Sequence, residues 1–193
     1  LRSDDKDERL RDCIASNLEE MNRLSGIVND MLFLSQADRG AKARRTPIQS
    51  LARLCAEVAD HYEAMLLDSD LQWTIEGDAS GQYDAALLRR VLSNLLSNAA
   101  RHADQGSSIV IRIAAEAHGY IKLSVTNQGE PISAESLPHI FDRFFRVDTS
   151  RSHSDQNHGL GLAIVGAIAR MHDGEPFAKS AHGETEIGVR LAG

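Results

Sequence analysis

With 193 residues, 25% of them charged and 42% hydrophobic, the chain is long enough for one well-buried domain and an appendage of ordinary globular composition. The net charge of −7 excludes a broadly basic, nucleic-acid-binding surface. No apolar run approaches the ~20 residues of a membrane span and no signal-peptide pattern is visible, so this stretch is expected to be soluble, with any membrane segment lying upstream.

From Asp7 to Asp38 there is no proline, and Gly26 is the only glycine. Leu10, Ile14, Leu18, Met21, Leu24, Val28, Met31 and Leu34 recur at intervals of three and four, the seam of an amphipathic helix, while Glu19, Glu20, Arg23, Asn29 and Asp30 line its other face. A lone helix of this length cannot bury its own stripe. It packs against a partner helix or a second chain, or it docks on the domain behind it. The two cysteines, Cys13 and Cys55, fall in helix-like segments without metal-ligand spacing, as in a reducing compartment, with a single disulfide still open.

Gly40 and the basic run AKARRTP end this helix and make a linker. A helix is expected over 49–67, and LQWTIEG reads as a strand closed by a Gly-Asp turn. Asp84 is placed to cap a helix over 85–102. Ile109, Ile111 and Ile113 alternate in one strand, and Ile121, Leu123 and Val125 in the next, with His118-Gly119 joining them as a hairpin. Residues 142–158 are polar and unpatterned, as a mobile loop would be. A helix over 160–171 and strands over 175–181 and 185–191 complete the chain. These runs predict an α/β sandwich, a mostly antiparallel mixed sheet with helices on one face, preceded by the long N-terminal helix.

Three stretches carry chemistry. In the helix over 85–102, Leu87, Leu88, Val91, Leu92, Leu95 and Leu96 form the packed side, and Arg90, Asn94, Asn98, Arg101 and His102 form a separate stripe. An Asn oxygen is a hard, neutral ligand suited to Mg²⁺, which takes further ligands from phosphates and water; the bland alternative is an exposed polar stripe. In VTNQGEPI, residues 125–132, a strand ends at Asn127, and Gly129 and Pro131 turn the chain, either a plain turn or a place where a ligand lies against glycine backbone. In GLGLAIV, residues 159–165, Gly159 and Gly161 open a helix whose free N–H groups suit phosphate, although glycines also start helices for packing reasons. The Lys-Ser/Thr of a P-loop is absent.

In this order, and with FDRFFRVD between the last two, the stretches resemble the N, G1, F and G2 boxes of the catalytic, ATP-binding domain of bacterial sensor histidine kinases. These kinases share their ATPase fold with gyrase, Hsp90 and MutL. The resemblance covers about residues 46–193. NLEEMNRLSGIVNDMLFLSQAD resembles the second helix of the dimerisation and phosphotransfer hairpin, so residues 1–45 are expected to be a partial hairpin and linker, and 46–193 the ATP-binding domain. The wording of the boxes is most similar to the heavy-metal (copper-type) sensor branch. The resemblance implies ATP and Mg²⁺ as cofactors, with Asn98 the metal ligand, Asn94 its helper near the phosphates, and Arg101 and His102 contacting phosphates or adenosine. It implies that Asn127, where most of the family has Asp, meets the adenine amino group through its neutral carbonyl. Gly129 keeps its role and Pro131 replaces a glycine. Phe141, Phe144 and Phe145 anchor the near end of the lid, and Arg146 offsets charge at the γ-phosphate, making Asn94, Asn98 and Arg146 the catalytic set. Gly159, Leu160, Gly161 and Leu162 form the phosphate turn, with Asn157 and His158 where a further glycine is common.

The family phosphorylates a histidine in an H-E-x-R-x-P stretch, and none of the eight histidines of this chain stands in one. At RRTP, residues 44–47, Lys42 and Ala43 stand where His and Glu are required. The sequence is therefore expected to start after the acceptor helix and to donate phosphate in trans. The resemblance implies a homodimeric, inner-membrane parent with this part in the cytoplasm, partnered by its own hairpin and by a response-regulator receiver domain. The alternative is a nucleotide-binding or partner-binding regulatory module without kinase activity. An anti-sigma-type serine kinase lacks the long N-terminal helix, and a gyrase-like or chaperone-like ATPase needs a transducer domain for which this length leaves no room.

Overall fold

The computed structural model describes residues 4–146 and 158–193. Helix α1 (Asp4–Asp38) leads through a short strand β1 (Thr46–Ile48) to helix α2 (Leu51–Ala59), a 3₁₀ turn at Asp60–Tyr62 and helix α3 (Glu63–Asp68). Strands β2 (Gln72–Glu76) and β3 (Gly81–Tyr83) precede helix α4 (Ala85–His102). Strands β4 (Ser108–Ala115) and β5 (Tyr120–Gln128), helix α5 (Gly161–Met171) and strands β6 (Glu175–Ala181) and β7 (Glu184–Ala192) follow.

The main sheet has the order β2-β4-β5-β7-β6, with β2 parallel to β4 and every other pair antiparallel. Alternation sets its two faces. Ile109, Ile111, Ile113, Ile121, Leu123, Val125, Ile187, Val189 and Leu191 are buried on one face, under α2, α4 and α5. The other face carries a polar ladder: Arg112 pairs with Glu76 at 2.8 Å, and Lys122 and Ser124 both reach Glu186 at 2.8 Å. This is the predicted sandwich, with the helices on one side of the sheet among the described residues. The β4–β5 hairpin closes at His118 and Gly119, with φ of 61° and 77°, and the Tyr120 N–H donates to the Ala117 carbonyl. Two consecutive positive φ values give the primed turn that matches strand twist.

Two expectations are corrected. The helix predicted over 49–67 breaks at Asp60–Tyr62, where the Tyr62 hydroxyl donates to the Ser93 carbonyl at 3.2 Å. A tertiary contact to α4 thus bends a segment that its local pattern leaves straight. Part of the predicted linker is strand: β1 pairs with β3 through only three residues each, too short for alternation to reveal. The expected mobile loop over 142–158 lies, for residues 147–157, outside the described residues.

Helix α1 divides its apolar residues between two faces. Leu34 is 1% exposed and belongs to the core, with Ile27, Phe33 and Ala37 packed against it. Ile14 (57% exposed), Leu18, Met21 (66% exposed), Leu24, Val28 and Leu32 point away from the domain. The docking alternative holds for Ile27, Phe33, Leu34 and Ala37, while the stripe on the other side of the helix is exposed. Asp30 and Asp38 secure the docked face, meeting Arg90 and Arg143 at 2.5 Å each. Cys13 on this helix is exposed and Cys55 in α2 is buried, both as free thiols; burial raises the Cys55 thiol to about 12. Among the described residues no helix is long and apolar enough to cross a membrane.

Candidate functional site

The site is built on α4, and α4 is fixed at its start by Asp84. The Asp84 Oδ1 accepts the orphan N–H groups of Ala86 and Leu87, each at 3.1 Å, as the sequence predicts for an N-cap. Its other oxygen accepts the Arg44 N–H at 3.1 Å, and its own N–H donates to His172 Nε2 at 3.1 Å. Because Nε2 accepts, Nδ1 carries the proton and donates to the Ile168 carbonyl at 2.9 Å. His172 is fully buried, and that burial, ahead of any charge, holds its pKa below the usual histidine range. One carboxylate and one neutral imidazole thereby tie the linker, the start of α4 and the end of α5 together.

Burial of Leu88, Val91, Leu92, Leu95, Leu96 and Ala99 sets the rotation of α4 about its axis. Asn94 and Asn98 are then half-buried, and Arg101 and His102 exposed, on a different side. Asn94 donates through Nδ2 to the Arg90 carbonyl at 2.9 Å, and its Oδ1 lies 3.0 Å from where a Cβ on Gly161 would stand. The N-terminus of α5 therefore abuts Asn94. At the far end of the stripe, a Cβ on Gly129 would fall 2.1 Å from the His102 carbonyl oxygen. Only glycine lets the turn after β5 approach α4 this closely. The stripe from Asn94 to His102, about 12 Å at the helical rise, thus bridges the two glycine turns that the sequence singles out.

Asn127 is buried at the end of β5 and donates to the Gln128 carbonyl at 3.3 Å. Its cross-strand partner is Thr185, which is buried and shares a hydrogen bond of 2.8 Å with Ser180. Sequence reasoning missed Thr185; its signal is β-sheet register, which a single sequence does not print. Strand β5 runs one residue beyond Asn127, so the predicted strand end shifts to Gln128.

Phe141 and Phe145 pack against the core and Leu160 belongs to it, with Leu162 half-buried beside them. Phe144 differs from the expected anchor: its side chain is exposed, and the backbone makes the contact. The Phe144 N–H donates to the Gly159 carbonyl at 2.9 Å, with φ of 62° and 67° at the two residues. A Cβ on Gly159 would sit 2.7 Å from the Phe144 carbonyl carbon. Residues 144 and 159 are therefore pinned together, and left-handed backbone at both makes the pinning possible.

Much of the Arg101 side chain is exposed, yet its guanidinium is shifted below its ordinary range, first by lost solvation and then by the charge of Arg146. Arg90, the first polar residue of the sequence stripe, is engaged elsewhere: it pairs with Asp30 and stacks 4.2 Å over the Phe33 ring of α1. His158 also faces α1, accepting from Arg23 Nε at 3.3 Å beside a cleft of about 350 Å³ lined by Glu19, Gly26, Ile27 and Asp30.

Residues 83–192 match the family model described as histidine kinase-, DNA gyrase B- and HSP90-like ATPase. Sensor histidine kinase CusS of Escherichia coli K12 is 42% identical over 168 residues, which is 86% of this chain and 35% of that protein. Sensor protein CzcS of Cupriavidus metallidurans is 37% identical over 180 residues, 92% of this chain and 37% of that protein. The chain spans about a third of the length of these curated relatives. The Acinetobacter baumannii histidine kinase AdeS shares the fold at a TM-score of 0.77 and 20% identity, over 93% of this chain and 83% of that one. Its two glycine turns bridged by a polar helix stripe, and the match over 83–192, make this chain a member of the histidine kinase-, gyrase B- and HSP90-like ATPase family.

Proposed function

We propose that the chain is the ATP-binding catalytic part of a sensor histidine kinase. It transfers the γ-phosphoryl group of ATP to a histidine on a helical hairpin, from which an aspartate on a response-regulator receiver domain takes it. The observation that carries this reading is the polar stripe of α4, which begins against the N-terminus of α5 at Asn94 and ends against Gly129 at His102. Within it, Asn98 holds Mg²⁺. Its amide is half-buried and has no hydrogen bond among the described residues, so a hard oxygen donor is available without breaking an existing contact. When bound, the ion offsets phosphate charge.

Asn94 and the backbone of Gly159, Leu160, Gly161 and Leu162 orient the phosphates at the positive end of α5. Arg101, His102 and Arg146 supply donors and charge to the phosphates, and Arg146 offsets the charge that develops on the γ-phosphoryl as its bond to the bridging oxygen breaks and a bond to the histidine nitrogen forms. Asn127 and Gly129 line the base end, and Phe141 and Phe145 hold the segment that carries Arg146. Residues 1–45 supply one hairpin helix and a linker, residues 46–193 the ATP-binding domain, and the exposed stripe of α1 is the surface for the rest of the hairpin in a homodimer. In the full-length protein this part lies on the cytoplasmic side of the inner membrane, and likeness to the heavy-metal branch extends the proposal to a metal stimulus.

Titration calorimetry with ATP, with and without Mg²⁺, tests the site. Asn98→Ala is expected to weaken Mg²⁺-ATP binding by about tenfold or more, the loss of a charge-assisted contact, with the melting temperature unchanged. Transfer of label from γ-labelled ATP to a separately supplied hairpin bearing the acceptor histidine tests the kinase reading. Mg²⁺-dependent binding without transfer would leave a nucleotide-binding regulatory module instead.

A further inference from the structure

Asn127 is 4% exposed, yet the sheet does not use up its amide. It sits on the helix-facing side of β5, with Thr185 opposite and Gly129 next to its Nδ2. Thr185 is committed to Ser180, whose hydroxyl in turn accepts the Ile132 N–H at 2.9 Å. Among the described residues, the one side-chain bond of Asn127 runs from Nδ2 to the Gln128 carbonyl at 3.3 Å, and that carbonyl already accepts a shorter bond from the Asp104 N–H at 2.8 Å. Oδ1 accepts no hydrogen bond among the described residues. Nor is it sealed away, since the fully enclosed side-chain polar atom without a partner among them is Ser107 Oγ.

Resting on the nucleotide-site reading, we infer that Asn127 relaxes selection at position 6 of the purine, so that the site takes a 6-oxopurine triphosphate as well as a 6-aminopurine one. An amide has a donor half and an acceptor half on one rigid plane. As it stands, Oδ1 accepts from a 6-amino group and Nδ2 donates to N1. Turned by half a rotation, Nδ2 donates to a 6-oxo group and Oδ1 accepts from the N1–H. Turning forfeits the long bond to the Gln128 carbonyl, which keeps its Asp104 donor, so the penalty corresponds to a factor of about ten at most. A carboxylate at this position only accepts. It would oppose a 6-oxo group with a buried charge and reject it by about a hundredfold or more.

The test is calorimetric titration of this 193-residue chain and of Asn127→Asp with Mg²⁺-ATP and Mg²⁺-ITP. Inosine is the probe because its base differs from adenine at position 6 and N1 and adds no 2-amino group. In the wild type, ITP is expected to bind within about tenfold of ATP, and Asn127→Asp to widen that ratio by about tenfold or more. A wild-type ratio of about a hundredfold, or a ratio that Asn127→Asp leaves unchanged, overturns the inference while leaving the nucleotide site standing. Absence of binding by both nucleotides to the wild type overturns the site reading and this inference together. If thermal melting shows Asn127→Asp unfolded, the wild-type ratio alone decides.

Discussion

Helices α1 and α4 look alike in sequence, each with apolar residues at intervals of three and four and polar residues between, and the molecule treats them oppositely. The apolar side of α4 is buried against the sheet by residues of its own chain. Of α1, among the described residues, the turns around Ile27, Leu34 and Ala37 reach that core, and the stripe from Ile14 to Leu32 is left exposed. Amphipathic periodicity reports that a helix needs a partner and says nothing of where the partner is. The polar residues differ too: on α4 they run between two glycine turns, and on α1 they include acids that latch onto Arg90 and Arg143.

The sharpest way to break this comparison is to remove one leucine from each helix. Leu95→Ala, in the core of α4, is expected to cost about 2–5 kcal/mol by urea denaturation, the lost transfer energy plus a cavity. Leu18→Ala, on the exposed stripe, should stay within about 0.5 kcal/mol in dilute solution. Equal losses would mean that the stripe is covered in solution, and the contrast between the helices would disappear. Next in size is Asp84→Ala, which removes the cap of α4 and the anchor of Arg44. A loss of about 1 kcal/mol is expected, together with faster amide exchange at Ala86 and Leu87; unchanged exchange there would refute the capping role.

His172 gives a pH signature to the same junction. Its pKa in the folded chain lies below the ordinary value of about 6.5, so below that pH the unfolded chain binds more protons than the folded one, and stability falls as the solution is acidified. Above it both forms are neutral and this contribution is flat. Urea midpoints at pH 7.5 and 5.5 should therefore differ more for the wild type than for His172→Gln. An identical pH dependence in both would place the sensitivity elsewhere. The smallest effect belongs to the docked end of α1. Asp30→Ala breaks a partly exposed ion pair worth at most about 1 kcal/mol after solvent screening, and its measurable consequence is faster proteolysis within α1. Unchanged proteolysis would show that apolar packing alone holds that helix down.

Most of the sheet was legible because burial on one side writes alternation into β4, β5 and β7, and because His118-Gly119 and Asp84 carry the residue chemistry of a hairpin turn and an N-cap. Strands β1 and β3 were not, being three residues long and held by their partner. The polar stripe of α4 is legible as spacing, but spacing does not show that its first member, Arg90, is engaged with α1. Its partners Asp30 and Phe33 are about sixty residues away in sequence, and nothing local marks the pair. Phe144 was grouped with its neighbours as an anchor, and a positive φ turns its ring outward instead.

The sequence by itself determined most of the longer elements and which side of each is apolar, because propensity, capping and periodicity act over a few residues. It also marked the two glycine turns and the asparagine stripe by residue type. Only the tertiary structure decided that Asn94 meets Gly161, that Gly129 rests on the His102 carbonyl, that the charge of Arg146 acts on Arg101, and which residues of α1 are docked. Those contacts join segments brought together by sheet order and core packing, and their geometry depends on distances that no local pattern encodes.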